Sequence, residues 1–163
     1  MIYKFKGSIP GSKVFMREYE IEGSSTLYDF NDFLTNDLGF SPGQMTLFRG
    51  MDRFGEPRSE YGLFDMGDGS MDEVTVEKVI KRGEKELHYV FDMNRQRYIR
   101  LDFMETCSQL PRVSYPRLVA EKGRNPEQFA KGYEDFDQIS EPFENMEGSA
   151  IEESELPENE ESI

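Results

Sequence analysis

The two side chains best suited to catalysis are the single histidine, His88, and the single cysteine, Cys107. A cysteine nucleophile needs a histidine within hydrogen-bonding distance and a third group that orients the imidazole. His88 and Cys107 fall in or near separate extended segments, so we interpret His88 as a half-exposed surface or structural histidine and Cys107 as an unreactive thiol. A lone cysteine also excludes an intrachain disulfide, which fits a reducing compartment.

The acidic stretch 65–73 is the segment whose oxygens could hold a hard cation such as calcium. Its acids do not follow the alternating spacing of an EF-hand loop, and its glycines are not followed by the Lys-Ser/Thr pair of a phosphate-binding loop. An acidic, solvated loop is the plainer interpretation. We therefore expect no metal site, no cofactor and no catalytic residue.

Three arginines, Arg95, Arg97 and Arg100, and the acid Asp92 surround a predicted turn between two strands. Arginines beside aromatic residues on a sheet are one way in which proteins stack nucleic-acid bases. The net charge of −14 argues against nucleic acid, because phosphate contacts need Lys and Arg. Two alternatives remain, namely the wet face of a hairpin and a contact with the acidic tail. The nucleic-acid hypothesis fails if two of these arginines pair with acids of the domain.

The negative charge is concentrated at the end of the sequence. Residues 134–163 contain 12 acids and no Lys or Arg, which leaves 21 of the 33 acids with all 19 bases in residues 1–133. This composition predicts a disordered tail. Its apolar residues Phe136, Ile139, Phe143 and Met146 could anchor it to a protein partner, whereas the alternative is a tail that only increases solubility.

The clearest structural signal is an amphipathic helix over residues 25–39. Its apolar residues Leu27, Phe30, Leu34 and Leu38 recur at the spacing of one helical face. Thr26 is suited to cap its start, and Gly39 fits the left-handed position that follows a helix end. We expect this helix to cover a sheet.

The rest of the domain alternates like strands. The order strand, strand, helix, strand opens a β-grasp-like α+β fold, in which one main helix packs on one face of a mixed sheet. We predict a domain over residues 1–133 and the tail over 134–163. The predicted elements are a hairpin over 2–22, a strand at 45–49, a long loop at 53–72, a short helix at 75–80, a second hairpin over 87–103 turning at 92–95, an extended stretch at 110–122 and a helix starting at Asn125.

The order of these motifs resembles the Ri-plasmid open-reading-frame-three-like family. The resemblance rests on Phe-Met-Arg-Glu-Tyr at 15–19, Thr-Leu-Tyr-Asp-Phe at 26–30, Leu-Gly-Phe at 38–40, Phe48, Tyr-Val-Phe-Asp at 89–92 and Leu-Asp-Phe at 101–103. It spans roughly residues 2–130 and includes a proline-bearing C-terminal segment at Pro126. The family is largely uncharacterised biochemically, so the resemblance implies a fold and no activity.

The sequence departs from the family pattern at several polar and aromatic positions. It contains no tryptophan, and Phe15 and Phe40 stand where two family tryptophans are expected. Gln44 and Thr46 replace a histidine pair, and Asp92 alone matches a polar position of the family turn. The resemblance therefore transfers no site built on those histidines.

The leading hypothesis is a non-enzymatic intracellular interaction module that binds an unknown protein through its acidic tail. The first alternative is a small-ligand binder or enzyme with a pocket under the 53–72 loop, and the second is a nucleic-acid accessory protein. No signal peptide or membrane span is visible, so we expect a cytoplasmic protein. The sequence does not predict an oligomeric state.

Overall fold

The computed structural model describes residues 1–129, which form one compact unit. Phe136, Ile139, Phe143 and Met146 lie outside the described residues. Seven strands and two helices occur in the part described. In chain order they are β1 (Ile2–Ser8), β2 (Met16–Glu22), α1 (Leu27–Asp37), β3 (Leu47–Met51), β4 (Pro57–Tyr61), α2 (Val76–Lys81), β5 (Glu86–Asp92), β6 (Arg97–Cys107) and β7 (Arg117–Lys122).

The strands form one sheet with the order β4-β3-β5-β6-β1-β2-β7. All six neighbouring pairs are antiparallel, so the α+β class is confirmed but the sheet is antiparallel rather than mixed. The difference arises at β1, which pairs with β6 from Ile2 opposite Cys107 to Ser8 opposite Arg100. Alternation along a strand records which residues face the core, but it carries no information about the direction of a distant partner.

Helix α1 is confirmed together with the residues that begin and end it. Thr26 Oγ1 accepts a hydrogen bond from the Asp29 amide, while the Asp29 carboxylate accepts one from the Thr26 amide, which completes a capping box. Gly39 has a φ of 71° in the left-handed region directly after the helix. The sequence signals were sufficient here because each of them acts within one helical turn.

An aromatic core lies between α1 and the sheet. The ring of Phe30 lies 5.5 Å from that of Phe5 and 5.7 Å from that of Phe48. Among these apolar contacts, Asn31 Oδ1 accepts hydrogen bonds from Tyr89 Oη and Thr46 Oγ1, both at 2.8 Å. These pairings satisfy the polar groups of the core, so they tie α1 to β3 and β5 at little desolvation cost.

The opposite face of the sheet carries charged side chains. The strand register places Arg49, His88 and Arg100 side by side on β3, β5 and β6. Arg49 pairs with Glu60 at 3.0 Å, and Arg100 contacts the Asp102 carboxylate at 3.1 Å. This face is stabilised by pairs of opposite charge across and along strands rather than by apolar packing.

The predicted 53–72 loop is wrong in its first half, where β4 pairs with β3 from Tyr61 opposite Phe48 to Pro57 opposite Met51. The strand escaped the hydrophobic pattern because its inward positions are Ser59 and Tyr61 and its other positions are Pro or charged. Proline is tolerated on an edge strand, since no second neighbour needs its missing amide hydrogen. A register shift at Met51 and charges along β4 also oppose pairing with another chain.

The predicted extended stretch at 110–122 ends in an ordinary edge strand, β7, which pairs with β2. A helix starting at Asn125 is not present in the described residues, which run on to Phe129 without regular structure. The Asn125 side chain cannot cap a helix because it accepts from Arg17 and donates to the Asp37 carbonyl. None of the described helices is long and apolar enough to cross a membrane.

Candidate functional site

The turn between β5 and β6 is organised by Asp92, which is 2% exposed. Its Oδ1 accepts a hydrogen bond from the Arg95 amide at 3.3 Å, and its Oδ2 contacts Arg97 Nη1 at 3.2 Å. The left-handed position of this turn is Gln96, with a φ of 54°. Asp92 therefore closes the turn on one side and holds Arg97 on the other.

Arg97 turns away from solvent and grips the end of the described chain. Its Nη2 donates to the Glu127 carbonyl at 2.6 Å, and its Nη1 donates to the Gln128 carbonyl at 3.0 Å. The guanidinium lies 4.9 Å from the centre of the Phe91 ring. Burial lowers the pKa of Arg97 and the Asp92 carboxylate opposes that effect, so the group keeps its charge at neutral pH.

Arg17 makes the same kind of contact with residues 122–125, just before the residues that Arg97 holds. It is 1% exposed, and its guanidinium donates to the carbonyls of Lys122 and Gly123 at 2.7 and 3.0 Å and to Asn125 Oδ1 at 2.7 Å. The Phe15 ring lies 4.3 Å below it. The buried Arg17 and the half-buried Arg97 thus hold residues 122–128, called the strap below, mainly through main-chain carbonyls.

The strap is also held from the α1–β3 connection. The Ser41 amide donates to Gln128 Oε1 at 2.8 Å, while the Asn125 amide group donates to the Asp37 carbonyl at 3.2 Å. Pro126 and Gln128 are buried. These contacts therefore fix the last residues of the folded unit, which runs to Phe129.

The three candidate arginines do not share one surface. Arg97 is held inside the strap site, Arg100 lies on the charged sheet face, and Arg95 is exposed in the turn. Arg97 pairs with Asp92, and Arg100 pairs with Asp102 and Glu86. Two of the three therefore pair with domain acids, and the three do not form one exposed basic surface.

His88 is more buried than expected, at 8% exposure. Its ring stacks on Tyr98 with the two centres 4.0 Å apart, and its Nε2 lies 2.6 Å from Glu86 Oε2. Burial lowers the pKa of His88, the contact with Glu86 opposes this, and the charges of Arg100 and Arg49 add to it. His88 lies opposite Arg100 of β6, and Cys107 lies seven residues beyond Arg100, roughly 20 Å along the strand. His88 and Cys107 therefore do not form a dyad.

The 62–72 loop is closed by its own hydrogen bonds. Asp65 Oδ1 accepts from the amides of Gly67 and Gly69 at 2.8 and 3.0 Å, which lowers the pKa of Asp65. The Met71 amide donates to the Gly62 carbonyl at 2.8 Å. Among the described residues, no three histidine, cysteine or acidic side chains are placed to hold a metal ion.

A buried carboxylate, Glu84, lies beside β4 at the opposite end of β5 from the strap. It is 0% exposed and accepts hydrogen bonds from Tyr61 Oη at 2.6 Å and Ser59 Oγ at 2.7 Å. Arg82 Nη1 donates to the same Tyr61 hydroxyl at 2.8 Å, and Arg58 Nε lies 3.7 Å from Glu84. Burial and the hydrogen bond to Glu84 raise the pKa of Tyr61, so its hydroxyl stays protonated.

The sequence matches, over residues 4–158, the profile of a family described as plasmid pRiA4b ORF-3-like protein. This chain belongs to that family. No curated protein matches the sequence. The expected family membership is therefore confirmed.

The fold is similar to the crystal structure of MM3350, a protein of unknown function from Methanosarcina mazei Go1. The TM-score is 0.64 at 16% sequence identity, and the similarity covers 76% of this chain and 70% of the other. At that identity, the likeness concerns the fold alone.

The two positions at which the family resemblance places tryptophan both lie at the strap site. Phe15 supports Arg17 from below, and Phe40 stacks on Phe91 with the ring centres 4.8 Å apart. Phe91 in turn carries Arg97. Phe15 therefore supports Arg17 directly, whereas Phe40 supports Arg97 only through Phe91.

Sequence reasoning missed Arg17, Glu84 and the arginines beside Glu84. A signal for Arg17 was present, because it alternates in phase with Phe15, Tyr19 and Ile21 on the core face of β2. Glu84 gave no signal, since it lies between α2 and β5 in a run of charged residues. Only the meeting of β4 with residues 82–84 shows why a carboxylate is buried there.

Proposed function

We propose that this protein is an interaction module in which the folded unit carries the acidic segment 134–163 as a docking segment for another protein. The single observation that supports it most is the strap, where Arg17 and Arg97 hold the chain up to Gln128. The acidic segment with its apolar anchors begins a few residues later. Acidic composition with spaced apolar residues is typical of segments that bind the surface of a partner protein.

The anchors are Phe136, Ile139, Phe143 and Met146, which are spaced among acids. In this proposal they enter apolar pockets of the partner, while the carboxylates are attracted to basic residues around those pockets. The lone cysteine is consistent with an intracellular location. We also propose that the fold is β-grasp-like, because β1, β2, α1 and β3 follow the opening order of that fold.

The test is affinity capture from lysate of the source organism with the full chain and two variants. One variant replaces the four anchors with serine and keeps every charge. The other replaces four acids beyond the anchors, Glu152, Glu153, Glu155 and Glu158, with glutamine. We expect the first variant to lose a captured protein by about tenfold or more and the second to keep most of it, because apolar anchors dominate such interfaces.

A chain ending at residue 129 provides a further control, because residues 1–129 form a compact unit by themselves. It should lose the same protein as the anchor variant. Identical captured proteins from the full chain and from the anchor variant would contradict the role given to the anchors. A partner that also remains on the shortened chain would transfer the interaction to the folded unit.

A further inference from the structure

Two arginines meet beside the buried carboxylate of Glu84, outside the strap and outside the proposed docking segment. Arg58 comes from β4, and Arg82 comes from the turn after α2. Arg58 Nη1 donates to the main-chain carbonyl of Arg82 at 2.8 Å, and Arg82 Nη1 donates to the hydroxyl of Tyr61, the tyrosine that binds Glu84. The Arg58 side chain is 53% exposed, and Arg82 is exposed as well.

Glu84 orients both guanidinium groups but neutralises only one charge. Arg58 Nε lies 3.7 Å from Glu84 Oε2, while Arg82 reaches Glu84 through the Tyr61 hydroxyl. The nearby Lys81 is already paired with Glu77. Two positive charges and one buried negative charge leave a local excess of one positive charge, and their mutual repulsion is relieved by an additional anion.

The arrangement also leaves donors available. Arg58 uses Nη1 for a carbonyl and Nε for Glu84, and Arg82 uses Nη1 for Tyr61. Within the described residues, both Nη2 groups and the Arg82 Nε have no hydrogen-bond partner. The donors that are engaged hold the guanidinium planes in place, so the remaining N–H groups are oriented before any ligand arrives.

We propose that Arg58 and Arg82 form a binding site for a phosphate group. Arginine presents a planar fork of N–H donors that matches the oxygens of phosphate. A tetrahedral phosphate has enough oxygens to accept from the unused N–H groups of both arginines at once. Glu84 is the positioning residue of the site, because it holds the arginines and does not face the ligand.

A purely structural role accounts for the engaged donors only. Arg58 satisfies a carbonyl at the end of α2, and Arg82 satisfies the Tyr61 hydroxyl. Neither role requires both side chains to be arginine, because a lysine ammonium can also donate to a carbonyl or a hydroxyl. The two explanations therefore differ in what lysine variants should do.

The experiment is an NMR titration of the full, 15N-labelled chain with inorganic phosphate at constant ionic strength, with chloride as the reference anion. We expect saturable shifts of the Arg58 and Arg82 Nε–H signals with a Kd of about 1 mM or tighter. The double variant Arg58→Gln, Arg82→Gln should bind at least about tenfold more weakly. The matched control Lys78→Gln, Lys85→Gln removes two exposed charges nearby and should change Kd by less than about twofold.

The variant Arg58→Lys, Arg82→Lys keeps the charge and the structural hydrogen bonds, so it guards against loss of folding in the glutamine variant. It should retain the thermal unfolding midpoint of the parent and still lose several-fold in phosphate affinity. Shifts that do not saturate, or an equal loss in the Lys78 and Lys85 control, would overturn the proposal. So would acetate that binds as tightly as phosphate.

A second series uses glycerol 3-phosphate in place of inorganic phosphate. Saturable binding of either compound at Arg58 and Arg82 supports the site. The compound that binds more tightly shows whether the site prefers a free phosphate ion or the phosphate group of a small molecule. The outcome is independent of the docking segment, because none of these variants alters residues 134–163.

Discussion

The two ends of β5 use arginine in opposite ways. At the strap end, Arg17 is buried and Arg97 half-buried, and both donate mainly to main-chain carbonyls of the same chain. At the other end, Arg58 and Arg82 are exposed and held in part by one buried carboxylate. Charge alone does not distinguish these pairs, but burial and the nature of the acceptors do.

The difference separates stability from recognition. A guanidinium that donates to several carbonyls cannot be removed without depriving all of those acceptors of their donor. An exposed guanidinium with unused donors contributes little to folding, and it remains available to a ligand. The strap arginines should therefore act on the free energy of unfolding, whereas the arginines beside Glu84 should act on binding.

The largest effect should come from Arg17→Ala. The Lys122 and Gly123 carbonyls and the Asn125 side chain would all lose their donor, and we expect a loss of about 3–5 kcal/mol in the free energy of unfolding. Urea denaturation measures it, and hydrogen exchange should show β7 losing protection first. Arg124→Ala, an exposed arginine within the strap, is the control and should cost less than about 0.5 kcal/mol. Equal losses in the two variants would refute the structural role given to Arg17.

The next largest effect concerns Glu84, at the other end of β5. A Cβ atom on Gly50 would collide with the Glu84 carboxyl group, so Gly50→Ala should cost about 1–3 kcal/mol in the free energy of unfolding. In a Glu84→Ala background the collision is absent, and the same change should cost well under about 1 kcal/mol. Additive effects of the two changes would show that Gly50 and Glu84 do not interact.

A smaller effect lies in the middle of β5, where His88 can be followed by NMR as the only histidine of the chain. Its pKa should lie below the ordinary value of 6.5, because burial and the nearby Arg100 and Arg49 disfavour the imidazolium. The unfolded chain then binds more protons than the folded one as the pH falls below about 6.5. The contribution of His88 to stability is therefore complete above that pH and is lost as the pH falls through the folded-state pKa.

The variant His88→Gln isolates this contribution from the titration of the acids. The difference in unfolding free energy between the parent and the variant should change with pH only between the two pKa values of His88. Urea denaturation at several pH values measures it. An imidazole that titrates above 6.5 would mean that the Glu86 contact outweighs burial.

The smallest effect is expected for Arg95→Gln. The Arg95 side chain is exposed, and its positive charge repels that of the neighbouring Arg97. Its removal should change the free energy of unfolding by less than about 0.5 kcal/mol, while Arg97→Gln should cost about 2 kcal/mol because it frees the Glu127 and Gln128 carbonyls. Two equal values would erase the distinction between exposed and buried arginines at this turn.

Local sequence signals determined the parts of this protein that depend on neighbours in the chain. The helix from Leu27 to Asp37, its cap at Thr26 and the β1–β2 and β5–β6 hairpins followed from spacing and turn residues. The order of the motifs was also sufficient to predict the family. In the helix and at the turns of the hairpins, the interacting residues lie within a few positions of one another.

The tertiary structure alone decided the features that join distant segments. The pairing of β6 with β1, the strap held by Arg17 and Arg97, and the burial of Glu84 all depend on partners that are remote in sequence. The same side chain, arginine, ends in the interior at one end of β5 and at the surface at the other. The reason is that Arg17 and Arg97 find several carbonyls of the strap as acceptors, whereas Arg58 and Arg82 have fewer acceptors near Glu84 and are exposed to solvent.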